Sequence, residues 1–261
     1  AGFDAQWILH PEFQWEFQRA DHSALRVDMM VGQCSLMRLD QVVASETHDL
    51  ASRQNTQPGR IPGMVRRAGG SPFWVQKATF LYLGLILTCP AVPLLLQEQE
   101  ALSFADFSFP NPPLFNWTLP EANSGLLQET KDLIALRRNA QGVSAGLQGG
   151  IARLLLVDGL QAAMLRSDEG SSGHTLVVYN MAESAREAFA FGGVPADGDW
   201  LVRFNGDAQR YSALYGDTCA SQTSVRVEGG RAAVCAPAAS LLVLSMGPGR
   251  ARAEGGAEVV V

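Results

Sequence analysis

No two cysteines in this sequence stand close enough to form a CxxC motif. Cys34, Cys89, Cys219 and Cys235 are far apart, and none has a histidine at metal-ligand spacing. This excludes the common structural zinc patterns, and no metal or other cofactor is expected. Isolated cysteines default to buried free thiols in a reducing compartment. Cys219 and Cys235 could meet across a β-sandwich, although nothing in their spacing demands it. Basic charge is also short: 20 Lys and Arg face 26 Asp and Glu, a net charge of −6. A polyphosphate backbone needs a basic face, so nucleic acid is not an expected partner. No basic stretch followed by an apolar one marks a signal peptide in the first residues. One long stretch lacks charge altogether, Ala78 to Leu96. Pro90 and Pro93 interrupt it, so it reads as a buried helix, a turn and a strand, with no membrane span expected.

What is present is apolar mass, 47% of 261 residues, sufficient for a sizeable core and two domains. The stretch Gln41 to Asp49 is a short β-branched run that ends in Glu46, Thr47, His48 and Asp49. A buried strand that delivers polar groups from its C-terminal end is how a parallel β/α sheet builds an active site. The bland alternative is a solvated loop. A helix is expected over Ser71 to Leu87 and a second strand over Ala91 to Gln97, again ending in polar residues, Gln97 to Glu100. Strand, helix and strand make one βαβ unit with acids at a shared edge.

Several short motifs run in a familiar order. They are Gly2-Phe3-Asp4-Ala5-Gln6-Trp7, Ser45-Glu46-Thr47-His48-Asp49, Val92-Pro93-Leu94-Leu95-Leu96 with Gln99-Glu100, Leu114-Phe115-Asn116-Trp117, Lys131 to Asn139, and Trp200 to Asn205. On these, residues 1 to 245 resemble the α-amylase superfamily (glycoside hydrolase family 13), closest to 1,4-α-glucan branching enzymes. The resemblance implies the last strands and helices of a (β/α)8 TIM barrel over 1–140 and an antiparallel β-sandwich over 141–247, while the Gly, Ala, Arg and Glu of 248–261 read as a disordered tail. It implies an α-glucan (starch or glycogen) as partner, in cytoplasm or plastid. Asp49 takes the family's transition-state stabilising position. His48, Glu46, Trp7, Asp4, Gln99 and Glu100 take substrate-binding positions. Two departures stand out: Glu98 replaces a glycine of the family's GQE, and Asn116 replaces the aspartate of LFDW.

Elsewhere the pattern is plainer. Residues 1 to 20 interleave Phe3, Trp7, Phe13, Trp15 and Phe17 with polar groups, either rings plugging the sheet edge or platforms for sugar faces. Apolar positions from 22 to 39 recur near helical spacing. Residues 50 to 70 are broken by Pro58, Gly59, Pro62 and Gly63 and read as a loop at the active-site edge, whose Arg53, Arg60, Arg66 and Arg67 either fix hydroxyls or neighbouring carboxylates or, for most of them, form a solvated basic face. An aromatic and proline-rich loop follows Glu100. Helix restarts after Ser124, a plausible N-cap. From 151 onward, eight short alternating runs at roughly ten-residue spacing indicate the sandwich.

Retaining cleavage of an α-1,4 bond needs two carboxyls about 5 Å apart. The resemblance places the family's nucleophile and acid/base on strands that precede the GFDAQW-like motif. Asp28 superficially imitates the nucleophile motif, but its surroundings read as helical. The expectation is a C-terminal portion of a branching enzyme-like protein that is inactive alone, completed by a missing N-terminal barrel half. An amylase-type hydrolase and a non-catalytic glucan-binding or scaffold protein are the alternatives.

Overall fold

The computed structural model describes residues 6–9, 25–52, 59–168 and 173–247. The tail expected over 248–261 lies outside these, as do most of the aromatic residues expected near the start. Gln6–Leu9 (β1), Gln41–Ala44 (β2) and Val92–Leu94 (β3) form a parallel sheet in that order. Leu9 pairs with Ala44 and Ala44 with Leu94, so the three strands end at one edge. Val27–Ser35 (α1) connects β1 to β2, while Ile61–Arg67 (α2) and Pro72–Thr88 (α3) connect β2 to β3. The described residues form no closed barrel. β3 is shorter than the expected Ala91 to Gln97, and Pro93, with no N–H, can donate nothing to a ladder.

The stretch expected to be all loop, 50 to 70, contains α2 instead. Pro62 falls in its first turn, where an N–H would lack a partner anyway. The helix ends in a Schellman turn: Gly69 at φ +90 donates to the Arg66 carbonyl, and Gly70 to that of Val65. Ser71 then caps α3, its hydroxyl accepting from the Trp74 N–H at 3.1 Å. Within four residues the chain therefore closes one helix and opens the next.

The helix α3 is buried nearly all round, which accounts for its almost wholly apolar sequence. Its lone charge, Lys77, is buried too. The ammonium meets Asp207 Oδ1 at 2.5 Å, donates to the Gly206 carbonyl at 2.8 Å and lies 3.5 Å from the Tyr215 ring centre. Beyond α3 come a short helix, Leu119–Ala122 (α4), and Ser124–Arg137 (α5). Ser124 is the first helical residue, and the cap position belongs to Asn123, whose amide donates to Ala101 O.

All eight expected strands of the second half are present: Ile151–Asp158 (β4), Gln161–Ser167 (β5), His174–Asn180 (β6), Arg186–Gly192 (β7), Gly198–Asn205 (β8), Ser224–Val227 (β9), Arg231–Ala236 (β10) and Ser240–Met246 (β11). They build a six-stranded sheet, β4-β5-β6-β11-β8-β9, and a two-stranded one, β10-β7. Successive side chains of β5, β6 and β11 alternate between two cores. Ala162, Met164, Val177, Tyr179, Leu241 and Val243 pack with the helices, on a cluster containing Phe80, Leu83 and Leu133. Ala163, Leu165, Leu176, Val178, Leu242 and Leu244 pack with Phe189 and Val234 of the smaller sheet. Gly84 permits the helix-side approach, since a Cβ there would lie 2.0 Å from Leu241 Cδ2.

Cys219 and Cys235 form a disulfide, which corrects the expectation of four free thiols. Cys219 lies in the turn before β9 and Cys235 in β10, so the bond ties a loop to the smaller sheet. Disulfides persist in oxidising surroundings, so the reducing-compartment argument rests on buried Cys34 and Cys89 alone. Among the described residues, no helix is long and apolar enough to cross a membrane.

Candidate functional site

The shared C-terminal edge of β2 and β3 positions the candidate residues. β2 is short, and directly after Ala44 the backbone leaves the ladder. Ala51 N donates to Thr47 O at 2.7 Å, and Leu50 N donates to Thr47 Oγ1 at 3.3 Å. This turn pushes His48 and Asp49 outward. Their side chains are 63% and 74% exposed, with His48 Nε2 at 3.3 Å from Asp49 Oδ1. The His48 ring meets Phe107 edge-on, centroids 5.6 Å apart. Phe107 is itself tied to this turn by its N–H to Ala51 O at 3.0 Å and by a parallel bridge to Ser52.

Glu46 points the other way and is fully buried. Its Oε1 accepts from Ile61 N at 2.7 Å, the first amide of α2, and its Oε2 lies 3.0 Å from Arg60 Nε. The latter is a close charge contact that falls outside hydrogen-bond alignment. Burial raises the Glu46 carboxyl above its ordinary range, against the lowering effects of Arg60 and the Ile61 amide. Gln99 is buried as well, donating to Ser45 Oγ and accepting from Leu96 N at 3.2 Å. Both residues stitch the edge together from inside, with no face left open to solvent.

Glu98 occupies the left-handed region at φ 64, the conformation a glycine would favour. Its carboxylate offsets that strain by accepting from Ser103 Oγ at 2.7 Å and from Asn116 N. Asn116 in turn accepts from Thr118 N and Thr118 Oγ1. The two departures from the family motifs therefore meet in one contact. Glu100 is half-buried in the 3-10 turn Gln99–Ala101. Trp7 pairs with Val42 through its backbone, Asp4 lies outside the described residues, and Asp28 sits in the first turn of α1, exposed beside Arg26.

Of the two readings of Arg60, a solvated arginine or one that fixes a neighbouring carboxylate, the structure shows the second, at Glu46. Arg60 is buried, donating from Nη2 to Gln97 O at 3.0 Å and from its backbone N to Asp106 Oδ1 at 2.8 Å. A cavity of about 320 Å³ lined by Arg66, Val75, Leu102 and Phe104 touches none of the sequence-derived candidates. Among the described residues, no group of three or more His, Cys, Asp and Glu could hold a metal ion.

Neither a family model nor a curated protein sequence matches the chain. Solved structures do. An α-amylase from Geobacillus thermoleovorans, complexed with acarbose, superposes with a TM-score of 0.64 at 13% identity, over 93% of this chain and 48% of that one. Further solved structures of similar fold include pullulanases and a second α-amylase. A pullulanase from Bacillus acidopullulyticus gives 0.60 at 14% identity, over 92% of this chain and 30% of that one. An Anoxybacillus α-amylase gives 0.57 at 14%, over 92% and 46%. At these identities the amylase-like likeness is one of fold. The chain spans about half or less of the length of the structures it matches.

Proposed function

We propose that this chain is the C-terminal part of an α-glucan-acting enzyme of the α-amylase superfamily, of the 1,4-α-glucan branching type. In this reading β1, β2 and β3 are strands of a (β/α)8 barrel, and the all-β half, from about residue 141, is its C-terminal domain. The observation that carries it is the His48–Asp49 pair, exposed at the end of a parallel strand with its neighbour β3 ending beside it. Solved structures of similar fold support it, being described as complexes with acarbose or, for an Anoxybacillus pullulanase, with maltotriose.

Asp49 would grip sugar hydroxyls beside the scissile bond. Its hydrogen bonds would tighten as the ring flattens toward the oxocarbenium-like transition state. His48, held edge-on by Phe107, would take a neighbouring hydroxyl. Glu46 and Gln99 act from behind, holding the edge in shape, while Trp7, Asp4 and Glu100 remain substrate contacts of the proposal. Cleavage with retention needs a nucleophile and an acid/base about 5 Å apart, and the resemblance assigns neither to a residue of this chain. Glucan binding without turnover is therefore the expected behaviour of this polypeptide. Branching requires a covalently held glucan to pass to a 6-hydroxyl, and hydrolysis passes it to water.

The test is calorimetric titration with maltohexaose. Saturable binding is expected, weakened about tenfold or more in Asp49→Ala, with folding stability changed by less than about 0.5 kcal/mol. Equal affinity in Asp49→Ala and the parent would sink the assignment of that residue. An iodine-stain shift without new reducing ends, on the native protein, separates branching from hydrolysis.

A further inference from the structure

We infer that Arg60 is the positioning residue of this edge, its side chain clamping the turn that carries His48 to the end of β3 and so fixing His48 against Phe107. The use of that wall rests on the glucan reading; its construction does not. Arg60 touches three separate stretches at once. Its Nε lies against Glu46 in the turn after β2, its Nη2 donates to Gln97 O after β3, and its backbone N donates to Asp106. Asp106 immediately precedes Phe107, whose N–H bonds Ala51 O and whose ring faces His48. The Arg60 side chain thus grips the His48–Asp49 turn on one flank, at Glu46, while the other flank is fixed through Asp106 and Phe107 by backbone N–H groups, which a substitution at 60 leaves in place.

The chemistry of the group explains why an arginine stands there. The buried guanidinium is offset by the Glu46 charge beside it and by its hydrogen bond to Gln97 O. A planar fork can reach a carboxylate and a carbonyl on different loops in one rigid geometry, which a lysine ammonium on a flexible stem cannot reproduce. Removing the charge would leave Glu46 buried beside a single amide donor, Ile61 N, and would free Gln97 from the turn after β2. His48 would stay on the surface but lose its fixed angle to Phe107.

The ring current of Phe107 makes this readable without any activity. Proton signals of the His48 imidazole, assigned by His48→Gln, are compared with those of Phe107→Leu, where the ring is absent. Arg60→Met and Arg60→Gln should each move the His48 signals toward their Phe107→Leu positions, and Arg60→Lys should move them less. Maltohexaose affinity should fall about tenfold in the first two variants, the cost of losing a preorganised surface. Unmoved His48 signals in a folded Arg60→Met protein would overturn the inference. If Arg60→Met does not fold, unmoved signals in Arg60→Gln would do the same. Parent His48 signals that ignore saturating maltohexaose would sink the glucan reading instead, and the comparison with Phe107→Leu would still decide the positioning role.

Discussion

The parallel sheet has strands of three or four residues, and its polar cargo sits where those strands stop. The six-stranded antiparallel sheet has strands of four to eight residues and is apolar on both faces along β5, β6 and β11. The first region is held by loop contacts such as Arg60–Glu46 and Glu98–Asn116, each joining positions distant in sequence. The second is held by ladders and two cores. Chemistry can be varied at the first by changing a loop, whereas a change in the second alters packing on two sides at once.

The sharpest way to test this division is to strike the junction between the halves. Replacing Lys77 by Met strands Asp207, which also accepts from Gly216 N and Thr218 N, as an unpaired buried charge. A loss of about 3–5 kcal/mol is expected in denaturant unfolding, with a single transition in which both halves melt together. Two separated transitions would break the comparison.

Next in size comes a pH effect at the same junction. Glu129 of α5 accepts from Tyr215 Oη at 3.0 Å, and burial raises its carboxyl to about 8, against the lowering influence of Lys77 and Tyr215. Asp207 and Asp132 push it in the same upward direction as burial. The folded protein therefore keeps a proton that the unfolded chain releases near 4.5. Stability from this group is undiminished below that value, falls by about 1.4 kcal/mol per pH unit as pH rises toward the folded value, and levels off above. Glu129→Gln should flatten that part of the stability–pH curve, and an unchanged slope would show that the carboxyl is ionised in the fold. Smallest is Gly84→Ala, expected to cost about 1–3 kcal/mol by forcing Leu241 aside, with maltohexaose binding unaltered.

The second half was legible almost strand by strand, because period-two alternation and turn residues are local signals. The helix α3 was legible too, since so long an apolar run, with Lys77 as its lone charge, has to be covered on every side. In contrast α2 was hidden: Pro62 and Gly63 read as breakers, and only the position of Pro62 in the first turn reconciles them with a helix. At the site, His48 and Asp49 were marked by standing at the end of a β-branched run. The burial of Glu46 could not be read, because its partner Arg60 lies fourteen residues on in a segment that looked solvated. The Cys219–Cys235 bond was equally hidden, since it depends on how the turn before β9 folds back to β10. Residue type gave the inventory at this edge; which way each side chain faces is set by partners that only the fold brings near.

The alternation of β5, β6 and β11 between two cores has a practical consequence for dissecting the molecule. Cutting the chain between α5 and β4 would not release two finished modules, because the six-stranded sheet would lose the helices that cover one of its apolar faces. Ala162, Met164, Val177, Tyr179, Leu241 and Val243 would then meet water together. Any recombinant C-terminal piece should carry polar replacements at those positions, or be expressed with α3 and α5 still attached.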